Sequence, residues 1–314
     1  MTSRHHIGRR AFLGGAIAIL GATPFAAMPR AAATAPGVHR LRLGDITLTA
    51  VHDGVWHRPI DASFVPNAPF AAVQRAMTDA SMPADKLPIP FTPLVVDTGG
   101  KRVLIDTGTG GQIAPTANAF AVNLAAAGIE TKAIDIVLIS HFHPDHINGL
   151  KTKDNVRVFP NAEIKVPAAE WAFWMDDANL RAAPQATRIY FLNARRIFSD
   201  LAKDITPFTE GEVAPGITAI AAPGHTPGHT VFAVTSGREA MLVLSDTTNH
   251  PALFARHPEW QPVIDMDGPR AVAIRRRLLD RAASDRMPVQ GYHFPFPACG
   301  SIVRDGKGFA FVPG

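Results

Sequence analysis

The sequence predicts a single α/β domain of alternating strands and helices over residues 34–314, and three observations carry that prediction. Short apolar runs at 134–139, 217–221 and 241–244 are bounded by turn residues and have the length of buried strands. Helical patterns stand among the strand segments, notably at 71–78, 116–127 and 269–286. Histidines and aspartates follow directly after the strand runs, which is how a sheet assembles one site from distant sequence. With 46% hydrophobic and 18% charged residues in 314, the chain can bury a substantial core and does not read as disordered.

Taken in order, residues 41–53 read as strands around a Gly44-Asp45 turn. Residues 57–90 carry Pro59, Pro66, Pro69, Pro83, Pro88 and Pro90 and read as a loop interrupted by one helix near 71–78. Thr92 to Asp106 forms a hairpin through Gly99-Gly100, and an Ala-rich helix over 116–127 stops at Gly128. Strands recur near 134–139, 163–166, 217–222, 230–235 and 240–245. In the segment 269–286, Ala271, Ile274, Leu278 and Leu279 give a helix its apolar side, and Arg275-Arg276-Arg277 reads as its solvated face.

The densest chemistry is Ser140-His141-Phe142-His143-Pro144-Asp145-His146, at the end of a strand. Side chains alternate along an extended segment, so His141 and His143 point the same way and can share one ion. A helix beginning near Pro144 would set Asp145 and His146 side by side in its first turn, within reach of a second ion. Imidazole and carboxylate suit zinc, manganese, cobalt or iron without any cysteine. Three further ligand-type residues follow apolar runs: His225 in Pro223-Gly224-His225-Thr226-Pro227-Gly228-His229, Asp246 after Ser245, and His293 after Tyr292.

On these residues, together with Asp106-Thr107-Gly108, the chain resembles the metallo-β-lactamase superfamily of hydrolases along nearly its whole length after the leader. The resemblance implies an αβ/βα four-layer sandwich with metals at one edge. It implies two divalent ions, zinc first, with Mn2+, Co2+ or Fe2+ as alternatives. His141, His143 and His225 would hold one, Asp145, His146 and His293 the other, and Asp246 would bridge them. A hydroxide shared by the ions would be the nucleophile, oriented by Asp145, which with Asp246 forms the catalytic pair. His229 is read as support for its loop, and Asp106 equally as a turn residue or as a partner that fixes a ligand histidine.

The sole cysteine, Cys299, lies beyond His293 and reads as a buried filler, which departs from lactamases that use a cysteine ligand. Asn249 stands where homoserine-lactone lactonases of the superfamily carry a tyrosine. Val51-His52-Asp53-Gly54 and Phe91-Thr92-Pro93-Leu94-Val95 resemble the branch of methyl parathion hydrolase and its lactonase-like relatives. That branch implies cleavage of organophosphate triesters and of aryl lactones or esters, and is compatible with a homodimer. The alternatives are a lactam or thioester hydrolase of lactamase or glyoxalase II type, and a metal-binding exported protein without catalysis.

The formal charge of +4 and pI near 9.5 invite a nucleic-acid reading. The charge belongs to the leader: residues 1–33 hold Arg4, Arg9, Arg10 and Arg30 and no acid, and without them basic and acidic residues balance. No basic field remains for nucleic acid. Gly8-Arg9-Arg10-Ala11-Phe12-Leu13, an apolar stretch and Ala31-Ala32-Ala33 resemble a twin-arginine export signal. A periplasmic or secreted bacterial protein, free of the membrane once the signal is removed, is therefore expected.

Substrate choice is expected from aromatic side chains: Trp171, Phe173, Trp174, Phe70 and Phe191 are the candidates for the pocket, with Tyr190, Phe64, Phe294 and Phe296 nearby in sequence. Apart from Lys132, no lysine or arginine lies between 130 and 150, which points to a small, neutral, partly aromatic ester, lactone or phosphotriester.

Overall fold

The computed structural model describes residues 35–314; the export signal expected over residues 1–33 lies outside the described residues. Two seven-stranded sheets face one another. The first runs in the spatial order Val38–Leu43, Ile46–Val51, Leu94–Thr98, Lys101–Ile105, Ile136–Leu138, Glu163–Pro167 and Ile205–Phe208. Its first four strands pair antiparallel and the rest parallel. The second sheet follows chain order from Gly211–Ala214 through Ile217–Ala221, Thr230–Ser236, Glu239–Val243, Val289–Gln290 and Cys299–Asp305 to Gly308–Pro313. Glu239–Val243 and Val289–Gln290 form its one parallel pair.

Strand periodicity divides the core into layers. On the first sheet Leu94, Val96, Val103, Ile105, Ile136 and Leu138 face inward, against Ile217, Phe232, Val234, Met241 and Val243 of the second. The intervening Val95, Leu104 and Val137 point outward, beneath the helices Phe120–Ala126, Ala168–Trp174 and Gln185–Phe198. Val231, Ala233 and Leu242 point outward from the second sheet, against Leu278, Leu279 and Ala282 of the helix Gly268–Ser284. Central strands are thus apolar on both faces, which explains their unbroken hydrophobic runs. The order helix, sheet, sheet, helix is the αβ/βα sandwich.

The predicted hairpin through Gly99-Gly100 is present, with φ of +56° and +73° at the two glycines, the left-handed values a two-residue hairpin turn requires. The predicted helix near 71–78 is Phe70–Asp79, whereas that of 116–127 begins only at Phe120. Residues 57–90 are not simply a loop. Gly54–Pro59 and Lys86–Phe91 pair in a separate two-stranded ribbon. Its prolines fit because no further strand is paired to either edge. This ribbon packs with Phe64, Val73, Met77, Trp260 and Tyr292 in a satellite core beside the strand ends.

The reading of Arg275-Arg276-Arg277 as wholly solvated is corrected for its first member. Arg275 is 1% exposed and lies on the buried side of its helix with Ala271, Leu278 and Leu279. Its position, four residues from Ala271 and three from Leu278, places it on the same helical face as the apolar residues. Charge alone gave no sign that a buried partner awaited it. Cys299 is buried as expected, and burial pushes its thiol up to about 12.

Candidate metal centre

The strands Lys101–Ile105, Ile136–Leu138, Ile217–Ala221, Glu239–Val243 and Val289–Gln290 are each followed within a few residues by a polar side chain of one cluster. A few residues after Ile136–Leu138, His143 is extended, with φ −67° and ψ 150°, and the chain then enters the short helix Pro144–Ile147 with proline at its first turn. That helix is held close to the Asp106 loop: Thr107 donates its N–H to the His146 carbonyl at 2.9 Å. A Cβ at Gly149 would come within 1.9 Å of the Thr107 carbonyl oxygen, so only glycine permits this approach.

The structure brings together all seven residues singled out as ligands, in two groups. His141, His143, His225 and Asp246 form one, and Asp145, His146 and His293 the other. In the first, His143 Nδ1 lies 3.0 Å from His141 Nε2 and 2.9 Å from His225 Nε2. Asp246 Oδ2 is 3.3 Å from His225 Nε2 and 4.0 Å from His141 Nε2. In the second, Asp145 Oδ2 lies 3.5 Å from His146 Nε2 and 3.4 Å from His293 Nε2. Asp246 reaches this group as well, Oδ1 at 3.1 Å from His146 and Oδ2 at 3.1 Å from His293. It therefore stands between the two groups.

This packing fits cations. A neutral imidazole has one N–H, so three ring nitrogens converging on one point cannot all be satisfied by one another. Buried His146 Nε2 and Asp246 Oδ1 stand 3.1 Å apart but are not aligned to hydrogen-bond, and neither has another partner. Ligand atoms about 2.0–2.1 Å from a tetrahedral zinc lie about 3.3 Å apart, close to the spacings found here. The all-nitrogen-and-oxygen donor set suits zinc, manganese, cobalt or iron.

The cluster carries an excess of carboxylate charge, which protons on two of its histidines balance and which a bound cation would balance in their place. Burial holds His141 well below the usual histidine range and His143 down at about 3, leaving their lone pairs free. Burial also disfavours charge on His225 and His146, but carboxylates outweigh it. Asp246 and Asp265 hold His225 up at about 9, and Asp246, Asp106 and Asp145 keep His146 well above its ordinary value. Asp246, despite its burial, is held well below the carboxylate range by His293, His146 and His225.

The remaining ring nitrogens are fixed from behind. Asp106 Oδ2 accepts from His146 Nδ1 at 2.8 Å, and the same carboxylate accepts the Ser140 N–H and hydroxyl. Of the two readings of Asp106, the geometry therefore shows the partner role. His293 Nδ1 donates to the Pro90 carbonyl at 2.8 Å. His229 donates from Nδ1 to the Ala222 carbonyl and accepts the Asp246 N–H at Nε2, so it props the loops.

Three supports went unseen in the sequence. Asp265 Oδ1 accepts from His225 Nδ1 at 2.8 Å, and its Oδ2 pairs with Arg275 at 2.8 Å. Glu170, fully buried, accepts N–H groups from Phe142 at 2.9 Å, Gly228 at 2.6 Å and the Trp174 indole at 2.7 Å. It joins both ligand loops. No short motif marks these residues, because the ligand loops they support lie far off in sequence: Asp265 is 40 residues from His225, and Glu170 is 28 from Phe142 and 58 from Gly228.

A cavity of about 180 Å³ opens on the cluster. His143, Asp145, Asp246 and His293 line it together with Trp56, Arg58, Ile89, Phe91, Tyr190 and Asn249. The pocket expected from Trp171, Phe173, Trp174, Phe70 and Phe191 is corrected: none of the five lines this cavity. Trp174 and Phe191 are core residues beneath the first sheet's helices, with Trp171 and Phe173 packed against them, and Phe70 packs into the satellite core. The apolar area of Trp174, Phe191, Trp171 and Phe173 joins helices to the sheet. A larger cleft of about 790 Å³, lined by residues including Met82, His250, Phe296 and Phe311, contains none of the seven clustered residues.

Fold and site together define a metal-dependent hydrolase class, and the chain belongs to the metallo-beta-lactamase superfamily, whose family model matches residues 92–286. Among solved structures it is similar to AidC, a dizinc quorum-quenching lactonase seen with a product, at 27% identity and a TM-score of 0.83 over 88% of this chain and 97% of that one. It is also similar to AbOPH, a hydrolase in the beta lactamase superfamily, at 25% identity and a TM-score of 0.81 over the same shares. Ribonuclease Z of Agathobacter rectalis is 43% identical over 70 residues, which cover 21% of this chain and only 20% of that protein.

Proposed function

We propose that this chain is a binuclear metal-dependent hydrolase of small esters and lactones, able to take organophosphate triesters through the same chemistry. The observation that carries the reading is Asp246, whose two oxygens lie within 3.3 Å of ring nitrogens from both ligand groups. His141, His143 and His225 would hold one ion and Asp145, His146 and His293 the other, with Asp246 shared. Two such ions would supply Lewis acidity, which makes a water nucleophilic near neutral pH and polarises the substrate's C=O or P=O.

The chain's own residues orient and enclose. Asp145 is fixed by the Tyr292 hydroxyl, which donates to its carbonyl at 2.6 Å, and its carboxylate lines the cavity, placed to accept a proton from an attacking water. Ile89, Phe91 and Trp56 exclude bulk water from the reacting bond and offer flat apolar contact to a ring. The lactonase similarity extends over almost the whole fold, whereas the ribonuclease Z match spans a fifth of that protein, so small-molecule ester chemistry is the better supported reading. The test is kcat/KM on dihydrocoumarin and on methyl paraoxon, before and after chelation and with zinc, cobalt or manganese restored. Chelator-sensitive turnover of the lactone is expected. Turnover confined to cephalosporins or glutathione thioesters would replace this reading with the lactam or thioester alternative.

A further inference from the structure

The sequence near the first motif gave no cation to the site, but the fold delivers one. Among the described residues Arg58, on the ribbon strand Gly54–Pro59, is the only arginine or lysine lining the cavity at the metal centre. Its guanidinium lies over two aromatic rings, 5.4 Å from the centre of Trp56 and 5.1 Å from that of Phe64. Those contacts and the pairing of Arg58 with Leu87 across the ribbon fix its direction.

Its hydrogen-bonding is the informative point. Other half-buried basic side chains have acceptors: Arg102 has Asp97, Arg157 has Asp204, Arg195 has Asp177, and Lys165 has the Val213 carbonyl. Among the described residues Arg58 has neither a hydrogen-bond acceptor nor a carboxylate within ion-pairing distance. Burial works against its charge, offset by the surrounding Tyr190, Asp145 and Asp61. Of these, Asp145 belongs to the candidate metal cluster, so its charge is committed there. A guanidinium cannot discard its proton, and a planar fork of donors without a protein partner matches a carboxylate in two parallel hydrogen bonds.

We propose that Arg58 determines specificity by binding a carboxylate carried by the substrate, so that the preferred substrates are acidic esters or lactones rather than neutral ones. This rests on the ester-hydrolase reading above and narrows it. In a cavity of about 180 Å³, scissile carbonyl and carboxylate must belong to one small molecule. Tyr190 lines the same cavity, its ring centre 5.3 Å from that of His143.

A matched pair of lactones tests this: 5-oxotetrahydrofuran-2-carboxylate and its neutral carboxamide, assayed with zinc-loaded wild type, Arg58→Lys and Arg58→Met. The wild type is expected to prefer the carboxylate by about tenfold or more in kcat/KM, chiefly through KM, as charge-assisted hydrogen bonds imply. Arg58→Met should abolish that preference, and Arg58→Lys, which keeps the charge without the fork, should retain part of it. Equal turnover of both lactones by wild type, or an undiminished preference in Arg58→Met, would overturn the proposal. Calorimetric binding of 3-oxocyclopentane-1-carboxylate and its amide, which cannot be hydrolysed, separates this outcome from failure of the hydrolase reading. A carboxylate preference lost in Arg58→Met would uphold Arg58 even if neither lactone were turned over, and its absence would refute it.

Discussion

Replacing Arg275 by methionine removes a charge from one of the most enclosed places in the molecule. Both the Arg275 and the Asp265 side chain are 1% exposed, and their pair is 2.8 Å long. Arg275 also donates to the carbonyls of Thr247 at 2.8 Å, Trp260 at 2.7 Å and Pro258 at 3.2 Å. Arg275→Met would strand the Asp265 carboxylate with His225 as its remaining partner, and would leave three buried carbonyls without this donor. Removing one member of a buried pair costs about 3–5 kcal/mol. At about 2–4 °C per kcal/mol for domains of this size, the melting temperature should fall by roughly 6–20 °C.

Its neighbour supplies the control. Arg276 pairs with Glu259 at 3.0 Å, but both side chains are about half exposed, so Arg276→Met should cost about 0–1 kcal/mol. Urea unfolding of the chelated proteins reads the fold alone, and repetition with zinc reads the added effect on His225. A cost below about 1 kcal/mol for Arg275→Met, indistinguishable from Arg276→Met, would refute the claim that Arg275 ties the loop of Asp246 and Asp265 to its helix.

Three other outcomes are expected. Glu170→Gln turns an acceptor oxygen into a donor facing the N–H groups of Phe142, Gly228 and Trp174, and should cost about 1–3 kcal/mol in urea unfolding while weakening metal retention. Asp106→Asn should weaken metal binding about 10–100-fold, read by competition with a chromophoric chelator, because Asp106 fixes the His146 ring. The third concerns acid. Burial holds His229 at about 3 and His250 at about 4, below the ordinary 6.5, and each accepts a backbone N–H only when neutral. Between those values and 6.5 the unfolded chain binds more protons than the folded one, so stability falls as pH drops from about 6.5 toward 3 to 4. His250 alone should account for about 3 kcal/mol of that loss, and His250→Asn should flatten the curve of unfolding free energy against pH over this window.

The ligand residues were legible because the chemistry is local: a strand end and one turn of helix carry His141, His143, Asp145 and His146 in six consecutive positions. The layered fold was legible in part, since strands buried on both faces leave continuous apolar runs. The pocket was not. Its wall comes from the ribbon at Gly54–Pro59 and Lys86–Phe91, whose prolines masked a strand pairing, and Arg58 arrives from more than eighty residues before His143. Aromatics between the motifs were drawn into the helix–sheet core instead, where their area is buried most fully. Arg275 was misread because a buried arginine and a solvated one look alike until Asp265 is seen opposite.

The measurement that bears most directly on the central claim is metal content alongside hydrolysis of dihydrocoumarin, for wild type and Asp246→Ala purified side by side. Two ions per chain and chelator-sensitive turnover are predicted for wild type, with both diminished in an Asp246→Ala protein that keeps its circular dichroism. Turnover that survives chelation, or an Asp246→Ala protein that holds two ions and full activity, would contradict the account.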